Sequence, residues 1–550
     1  MKHVKQLLSA LLVLAVVLSL LPAGVLKASA AEAPAALDIG YPTFKNTELL
    51  DEVYDLSKLG VSYSEKDIMM AIYKQDLANG GDSFYMDRIL AREGVCNGNA
   101  GSNGNADGNT FLTRGRALYM YTSSPSVIGF GGNTAYHQPL GRGDLVRILF
   151  SNADGSLTTK EDTSKRVNAP SNWSSTYSVG SNLTLDIVKF IHQENVAVTT
   201  MTLTNKSAED QAITVAADST FATEPGKVTV NGAEQTELTG TCSSPAGLTT
   251  IYARMTGDGF EAASSDDYCW LSRDVTVPAG GSVELKVVIA FTTEEIPEST
   301  AQYLRFAGLG NLEAVRAQKA EYNLYWAENL PYIDVPKKAV QKAIDYRWWL
   351  ERFNSLDANI PGYDYQYPVT IEGVLGYNNA IILTQPMHLQ DTKWLRSPYL
   401  AYGQLLSAGN SSQSSAFLDN PGNRNNWNNH YGQYLAEAGY EAFNVIGGGA
   451  EVAENFAYYF GHDATGQLEH YGNHIEGRDL IAYRNNYMTG NDADTISMHA
   501  PGTGTWKAHG ENAYVWAAAD AAAKLYEQLG NTEQAKYYRD LADKIKADVL

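Results

Sequence analysis

The chain has 550 residues, with 41 Lys and Arg against 62 Asp and Glu and a formal net charge of −21. That balance excludes nucleic acid and an anionic membrane surface as partners, because both demand clustered cations. The length exceeds what one hydrophobic core normally supports, so two or more domains are expected.

Residues 1–30 read as an export signal. Lys2 and Lys5 precede an apolar stretch from Leu7 to Leu21, and Ala28-Ser29-Ala30 offers small residues for cleavage. The apolar stretch is shorter than the roughly 20 residues of a membrane-spanning helix. The expectation is a secreted protein whose mature chain starts at Ala31, with no membrane contact once the signal is removed.

From 31 to 300 the signal is β. Runs such as Leu183 to Ile191, Val196 to Thr204, Ile213 to Ala217 and Val283 to Phe291 alternate apolar and polar residues between turn residues, which predicts an antiparallel β-sandwich. Pro278-Ala-Gly-Gly is a tight turn before one of these runs. The Gly- and Asn-rich loop from Gly94 to Asn109 is expected at the surface and mobile. Cys242 and Cys269 are candidates for a disulfide that leaves Cys96 odd, although spacing alone does not establish a bond.

The period changes after Thr300. Residues 301–334 read as a linker helix centred on Asn311 to Asn329 and stopped by Pro331. A helical domain, 335–550, follows: apolar positions recur at three and four through Trp348, Trp349 and Phe353, and further helices alternate with long Gly- and Asn-rich connections. The fold class expected is therefore multidomain β + α, with an N-terminal antiparallel sandwich, a linker helix and an α/α toroid whose rim loops build a site. Five or six helices after Val335 are fewer than a closed six-hairpin ring needs, so the toroid is expected to be incomplete at the C-terminal end.

Thirty-four tyrosines and nine tryptophans sit beside abundant Asn, Gly and Asp, a composition suited to sugars, whose C–H faces meet aromatic rings and whose hydroxyls meet polar side chains. Asp492 and Asp494 follow Gly490 between helical stretches. Two carboxyls, one protonated and one acting as base or nucleophile, are what glycosidic cleavage requires. The competing reading of such an Asp-x-Asp pair is a cap or a calcium loop. His388, Asp391 and Trp394 recur at helical spacing and suit sugar binding, with a core Trp and an exposed cap as the alternative. Trp348, Arg352, Trp427 within the Asn423 to His430 cluster, and Asn512 are further substrate-binding candidates. Glu511 is the next best carboxylate after Asp492, although a Glu at a helix start also simply complements the helix dipole. There is no GxSxG, HExxH, Walker or GxGxxG signature. No cofactor is called for, and the one metal for which the sequence leaves room is a structural calcium near Asp492 or the Asn-rich loops.

At these residues the chain resembles inverting glycosidases built on an (α/α)6 barrel, in particular glycoside hydrolase family 63 and the mannosylglycerate-hydrolase-like domains. Thr489-Gly-Asn-Asp-Ala-Asp494 is similar to the loop that carries the family's general acid, which the resemblance puts at Asp492. Gln390-Asp391-Thr392 is similar to a Trp-Asp-Thr sugar-binding motif, and Glu511-Asn512-Ala513-Tyr514 to the start of a family helix that ends in a Leu-Gly-Asn turn, here Leu529-Gly530-Asn531. The resemblance covers about Pro331 to Leu550. It departs at Met488, Thr489, Asp494 and Gln390. The family's general base lies far downstream, and no residue of this chain matches it. The function implied is glycoside hydrolysis by an inverting acid/base mechanism on a carbohydrate substrate. The competing readings are a polysaccharide lyase using His430 and its Asn neighbours, a phosphorylase of similar architecture, and a non-catalytic glycan-binding protein.

Overall fold

A computed structural model describes residues 33–39, 68–94, 114–120, 127–136, 138–243, 250–266, 268–357, 367–371, 380–412, 415–419, 432–472, 478, 480–483, 507–508 and 510–550. Two large antiparallel sheets face each other. The first has nine strands in the spatial order Arg92–Glu93, Thr159–Asn168, Trp173–Val179, Leu183–His192, Val196–Asn205, Ser282–Thr292, Thr250–Gly257, Ala233–Ser243 and Glu224–Val230. The second has six, with Gln211–Asp218 between Tyr268–Val277 and Val146–Asn152 at its centre.

Period-two alternation decides which side chains enter which core. On Val196–Asn205, Ala197, Met201 and Leu203 point into the core shared by the two sheets. Val196 and Val198 point the other way, with Val288 and Ala290 of the neighbouring strand, onto Tyr303, Phe306, Ala314 and Ala317 of two helices. Burial of both faces explains why the second half of that neighbouring strand, Val287 to Phe291, is continuously apolar.

The stretch expected to be sandwich throughout contains two helices among its described residues, α1 (Ile68–Ala78) and α2 (Tyr85–Leu90). Ile68 to Ala78 lacks β alternation, and its Tyr73 hydroxyl donates to the Ala320 carbonyl at 3.0 Å. Where one linker helix was expected there are two, α3 (Pro297–Gly308) and α4 (Asn311–Asn329), broken at Leu309-Gly310. Pro297 occupies the first turn of α3, where its missing N–H costs nothing. Glu313 accepts from the Gly310 N–H at the start of α4. The Asn311 amide is tied to the carbonyls of Met201 and Leu285, and Gln318 to that of Ser171 in a turn of the same sheet, so the first half of α4 is bolted to the nine-stranded sheet.

Beyond α4 the described residues hold seven helices, more than the five or six legible in the sequence: α5 (Lys338–Asn354), α6 (Gln385–Thr392), α7 (Tyr399–Ser412), α8 (Leu435–Ile446), α9 (Gly449–Tyr471), α10 (Asn512–Gln528) and α11 (Thr532–Val549). Helix α11 packs on α10, and α10 on α9 and α8. Gly530, at φ +72°, ends α10, and the Asn531 side chain caps α11 by accepting from the Gln534 N–H. One continuous apolar cluster runs from the sandwich through Tyr325 and Trp326 of α4 to Trp348, Trp349 and Phe353 of α5 and Tyr399 and Leu400 of α7. The sheets and the first helices of the helical part therefore share a core. No helix among the described residues is long and apolar enough to cross a membrane.

Cys242 and Cys269 are both free thiols. They lie in different sheets, Cys242 opposite Ile251 and Cys269 opposite Ser264, and the disulfide for which they were candidates is not formed. Cys96 and the Gly94 to Asn109 loop beyond Gly94 lie outside the described residues.

Candidate functional site

The site is built where the sandwich meets the helical part. Strands Leu183–His192 and Val196–Asn205 are joined by Gln193-Glu194-Asn195, and Asn195 adopts φ 61°, a left-handed conformation that Asn tolerates. Its side-chain oxygen accepts from the Ala117 and Leu118 N–H groups at 2.9 and 3.0 Å. Gly115 lies so close to Asn195 that a Cβ would clash with it. This close approach brings Arg114 and Arg116 beside the hairpin turn.

The helical part supplies the other wall. Arg352, near the end of α5, stacks on Tyr325 at 3.8 Å and Tyr322 at 4.6 Å, both on α4. Arg114 donates to the Phe353 carbonyl and lies over Tyr119 at 4.8 Å. Just past α5, Asp357 accepts from the Gln193 amide at 3.1 Å and faces the Arg116 guanidinium at 3.7 Å, while Glu194 faces the same guanidinium at 3.6 Å. Of these groups Arg114, Arg116, Gln193, Tyr322, Tyr325, Arg352 and Asp357, joined by Tyr399 and Leu400 of α7, line a cavity of about 40 Å³ to which five segments of the chain contribute.

Burial, opposed by the charge of Arg116, pushes the Glu194 carboxyl above the usual range. Burial also lifts Tyr322 and Tyr325 to about 12, so both hydroxyls keep their protons at neutral pH. Behind the turn, His192 Nδ1 accepts from the Glu194 N–H, which leaves Nε2 to donate to Glu321 at 2.9 Å. Burial is the largest influence on Glu321 and raises its pKa, but hydrogen bonds and charge from His192 and Arg305 together hold it below the usual value.

The residues singled out in the sequence fall in several places. Arg352 lines the junction cavity. Trp348, His388 and Asp391 come together elsewhere, joining α5 to α6: the Trp348 indole N–H donates to the Asp391 carbonyl at 3.0 Å, His388 bonds Glu351 at 2.8 Å, and Arg347 grips the Asp391 carboxylate at 2.6 Å. Trp394 lies past the end of α6 and is 53% exposed, with the Lys393 ammonium over its ring. Glu511 sits at the N-terminus of α10, and the buried Asn512 side chain bonds both the N–H and the C=O of Ile481, at 2.8 and 3.0 Å. Asp492, Asp494 and Trp427 lie outside the described residues. No cluster of three or more His, Cys, Asp or Glu side chains among the described residues could hold a metal.

Arg114, Arg116, Gln193, Glu194, Asp357, Tyr322 and Tyr325 were missed in the sequence. Three consecutive polar residues, Gln193-Glu194-Asn195, between two strongly apolar strands were the available signal for the turn. Nothing local marks Arg116 or Asp357, which meet only in the folded chain.

No family model matches the chain. Among solved structures it is similar to a protein described as a kojibiose phosphorylase from human microbiome, at 10% identity over 82% of this chain and 69% of that one, with a TM-score of 0.47. It is also similar to a family GH92 inverting mannosidase from Bacteroides thetaiotaomicron VPI-5482, at 13% identity over 83% and 61% of the two chains and a TM-score of 0.41. A third is a GH92 family glycosyl hydrolase, at 12% identity over 81% and 62% and a TM-score of 0.39. The chain thus spans less than two thirds of the two GH92 proteins. Their descriptions are of glycosidase type, GH92 rather than family 63, and likenesses this loose assign neither fold nor activity here.

Proposed function

We propose that this chain is a secreted carbohydrate-active enzyme that hydrolyses O-glycosidic bonds, with the helical part forming an (α/α)6 toroid. The observation that supports the reading is the junction: an antiparallel sandwich shares a core with a helical unit, and aromatic rings, guanidiniums and a carboxylate from both parts converge on one cavity. Aromatic and hydrogen-bonding groups in a concave interdomain position suit sugar recognition. The chemistry rests on the sequence resemblance, with Asp492 as general acid of an inverting mechanism, Asp494 and Glu511 as lesser candidates, and a carbohydrate as substrate.

The test is reducing-sugar release from a panel of α- and β-linked oligosaccharides, by the longest natural form of the chain and by its Asp492→Asn variant. Loss of a general acid lowers the rate by about 10²- to 10⁴-fold. Full activity in Asp492→Asn removes that residue from the mechanism. Products with an unsaturated ring, absorbing in the ultraviolet, replace hydrolysis with a lyase reaction.

A further inference from the structure

The junction cavity has a character of its own within a chain of net charge −21. Three guanidiniums, those of Arg114, Arg116 and Arg352, line it against one carboxylate, Asp357. Tyr322, Tyr325 and Tyr399, with Gln193, Ser355 and the apolar Phe353 and Leu400, make up most of the remaining wall. Arginine N–H groups are donors only, and protonated tyrosine hydroxyls can donate, so the lining offers many donors and few acceptors. It is also held rigidly. Arg352 is stacked on two rings, Arg114 is anchored to the Phe353 carbonyl, and Arg116 sits between two carboxylates.

Size narrows the occupant. At roughly 10–15 Å³ for each water position, a cavity of about 40 Å³ holds on the order of three waters. That is the space of a carboxylate, sulfate or phosphate group, and because the cavity is partly open to solvent, the rest of a larger ligand such as a sugar lies at its mouth. Planar guanidiniums match the oxygen spacing of such groups, and a guanidinium already desolvated by packing loses less on binding them than one in water.

We infer that the cavity lined by Arg114, Arg116, Arg352 and Asp357 is a binding site for an oxyanion, which ties the sandwich to the helical part when bound. The oxyanion is either a free inorganic ion or the acidic substituent of a sugar. Only the second source rests on the glycosidase reading.

Thermal unfolding and titration calorimetry with inorganic phosphate, sodium sulfate, D-glucuronate and D-glucose, at ionic strength matched with sodium chloride, test this directly. The expected result is a saturable rise in Tm with at least one of the three anions and none with glucose or chloride. A larger effect from glucuronate than from phosphate or sulfate identifies an acidic sugar as the source, and the reverse order a free ion. Arg116→Gln weakens binding tenfold or more. Should that variant fail to fold, Asp357→Asn carries the test, because removing the one lining carboxylate tightens an anion several-fold but weakens a cation or a neutral hydroxyl ligand. No saturable shift with any of the anions, or weaker anion binding in Asp357→Asn, overturns the inference. Binding is read without turnover, so an inactive panel in the hydrolysis assay leaves this result standing, and a silent cavity leaves the hydrolase reading standing.

Discussion

The sandwich and the helical part solve the same problem, the buried polar group, in opposite ways. In the sheets each strand satisfies its neighbour's backbone, so polar side chains inside pair chiefly with one another or with a few carbonyls. Arg166 and Glu161 form a buried ion pair, Arg254 bonds Glu237 at 2.8 Å, and the fully buried Lys189 ammonium bonds the carbonyls of Val127 and Gly129. In the helical part the helices satisfy themselves but the connections between them do not, and side chains supply what the connections lack. Asp419 accepts from the Ile382 N–H, Asp463 from the Phe417 N–H and the Gln433 amide, and Asn512 holds both backbone groups of Ile481. A buried polar residue in the helical part is thus first a bracket for a connecting segment, and only then a candidate for chemistry.

The largest expected effect follows from how closely those segments press on the helices. A Cβ at Gly466, within α9, would collide with the backbone nitrogen of Ala416, whereas one at Gly226, in an edge strand of the sandwich, would find its nearest atom 3.8 Å away. Gly466→Ala should therefore cost about 3 kcal/mol, and Gly226→Ala should stay within about 0.5 kcal/mol of the parent, both read from denaturant midpoints. Equal effects would mean that the helical part gives way around its brackets as easily as a strand edge does.

Asn512→Ala comes next. It strands the N–H and C=O of Ile481, both buried, at a cost of about 2 kcal/mol. A variant of unchanged stability that no longer turns over sugar would restore Asn512 to the substrate and remove it from the bracket.

This also shows what was legible in the sequence. Alternation announced the strands from Leu183 to Phe291 because each face of a strand meets a distinct environment, and Gly530-Asn531 announced the turn between α10 and α11 because one residue there must go left-handed. Helices α1 and α2 were hidden because too short a run of apolar residues carries no clear period. The junction cavity was hidden for a deeper reason: Arg116, Glu194, Arg352 and Asp357 are contributed by segments far apart in sequence, and no spacing records their meeting. Asn512 and Asp391 stood out as polar residues on helices, but composition does not distinguish a bracket from a ligand.

Individual buried groups in the two parts should also respond to pH in opposite directions. Burial holds Asp463 at about 6, above the 3.8 of an exposed aspartate, so the folded state binds the proton more tightly. The stability this brings is complete below about pH 4 and is lost as pH rises through about 6. Asp345 on α5 behaves alike, also raised to about 6 by burial. In the sandwich, burial lowers Lys189 from 10.5 to about 7, so the unfolded chain binds more protons between those values and stability rises with pH across that window. Urea midpoints at intervals from about pH 4 to 10 should fall over the first window and climb over the second. Asp463→Asn should make only the fall shallower, leaving the share of Asp345, and Lys189→Met should reduce only the climb. A single variant that flattens both would show that the shared core around Trp326 couples the two parts more tightly than their separate chemistry suggests.

The smallest effect is the most discriminating. Asp391 is gripped by Arg347, whose side chain is 63% exposed, and a pair so open to water contributes less than about 1 kcal/mol. Asp391→Asn should therefore leave the denaturant midpoint almost where it was, and Trp348 should still hold α6 through the Asp391 carbonyl, which the substitution does not touch. That near-silence makes the variant a clean probe of substrate. If Asp391 contacts sugar, as the resemblance of Gln390-Asp391-Thr392 implies, KM rises while stability stays put, and the exposed Trp394 three residues on becomes the neighbouring platform. If neither stability nor KM moves, Asp391 is a surface partner of Arg347 and nothing more, and the search for the sugar-binding carboxylate shifts to the junction, where Asp357 is the described candidate.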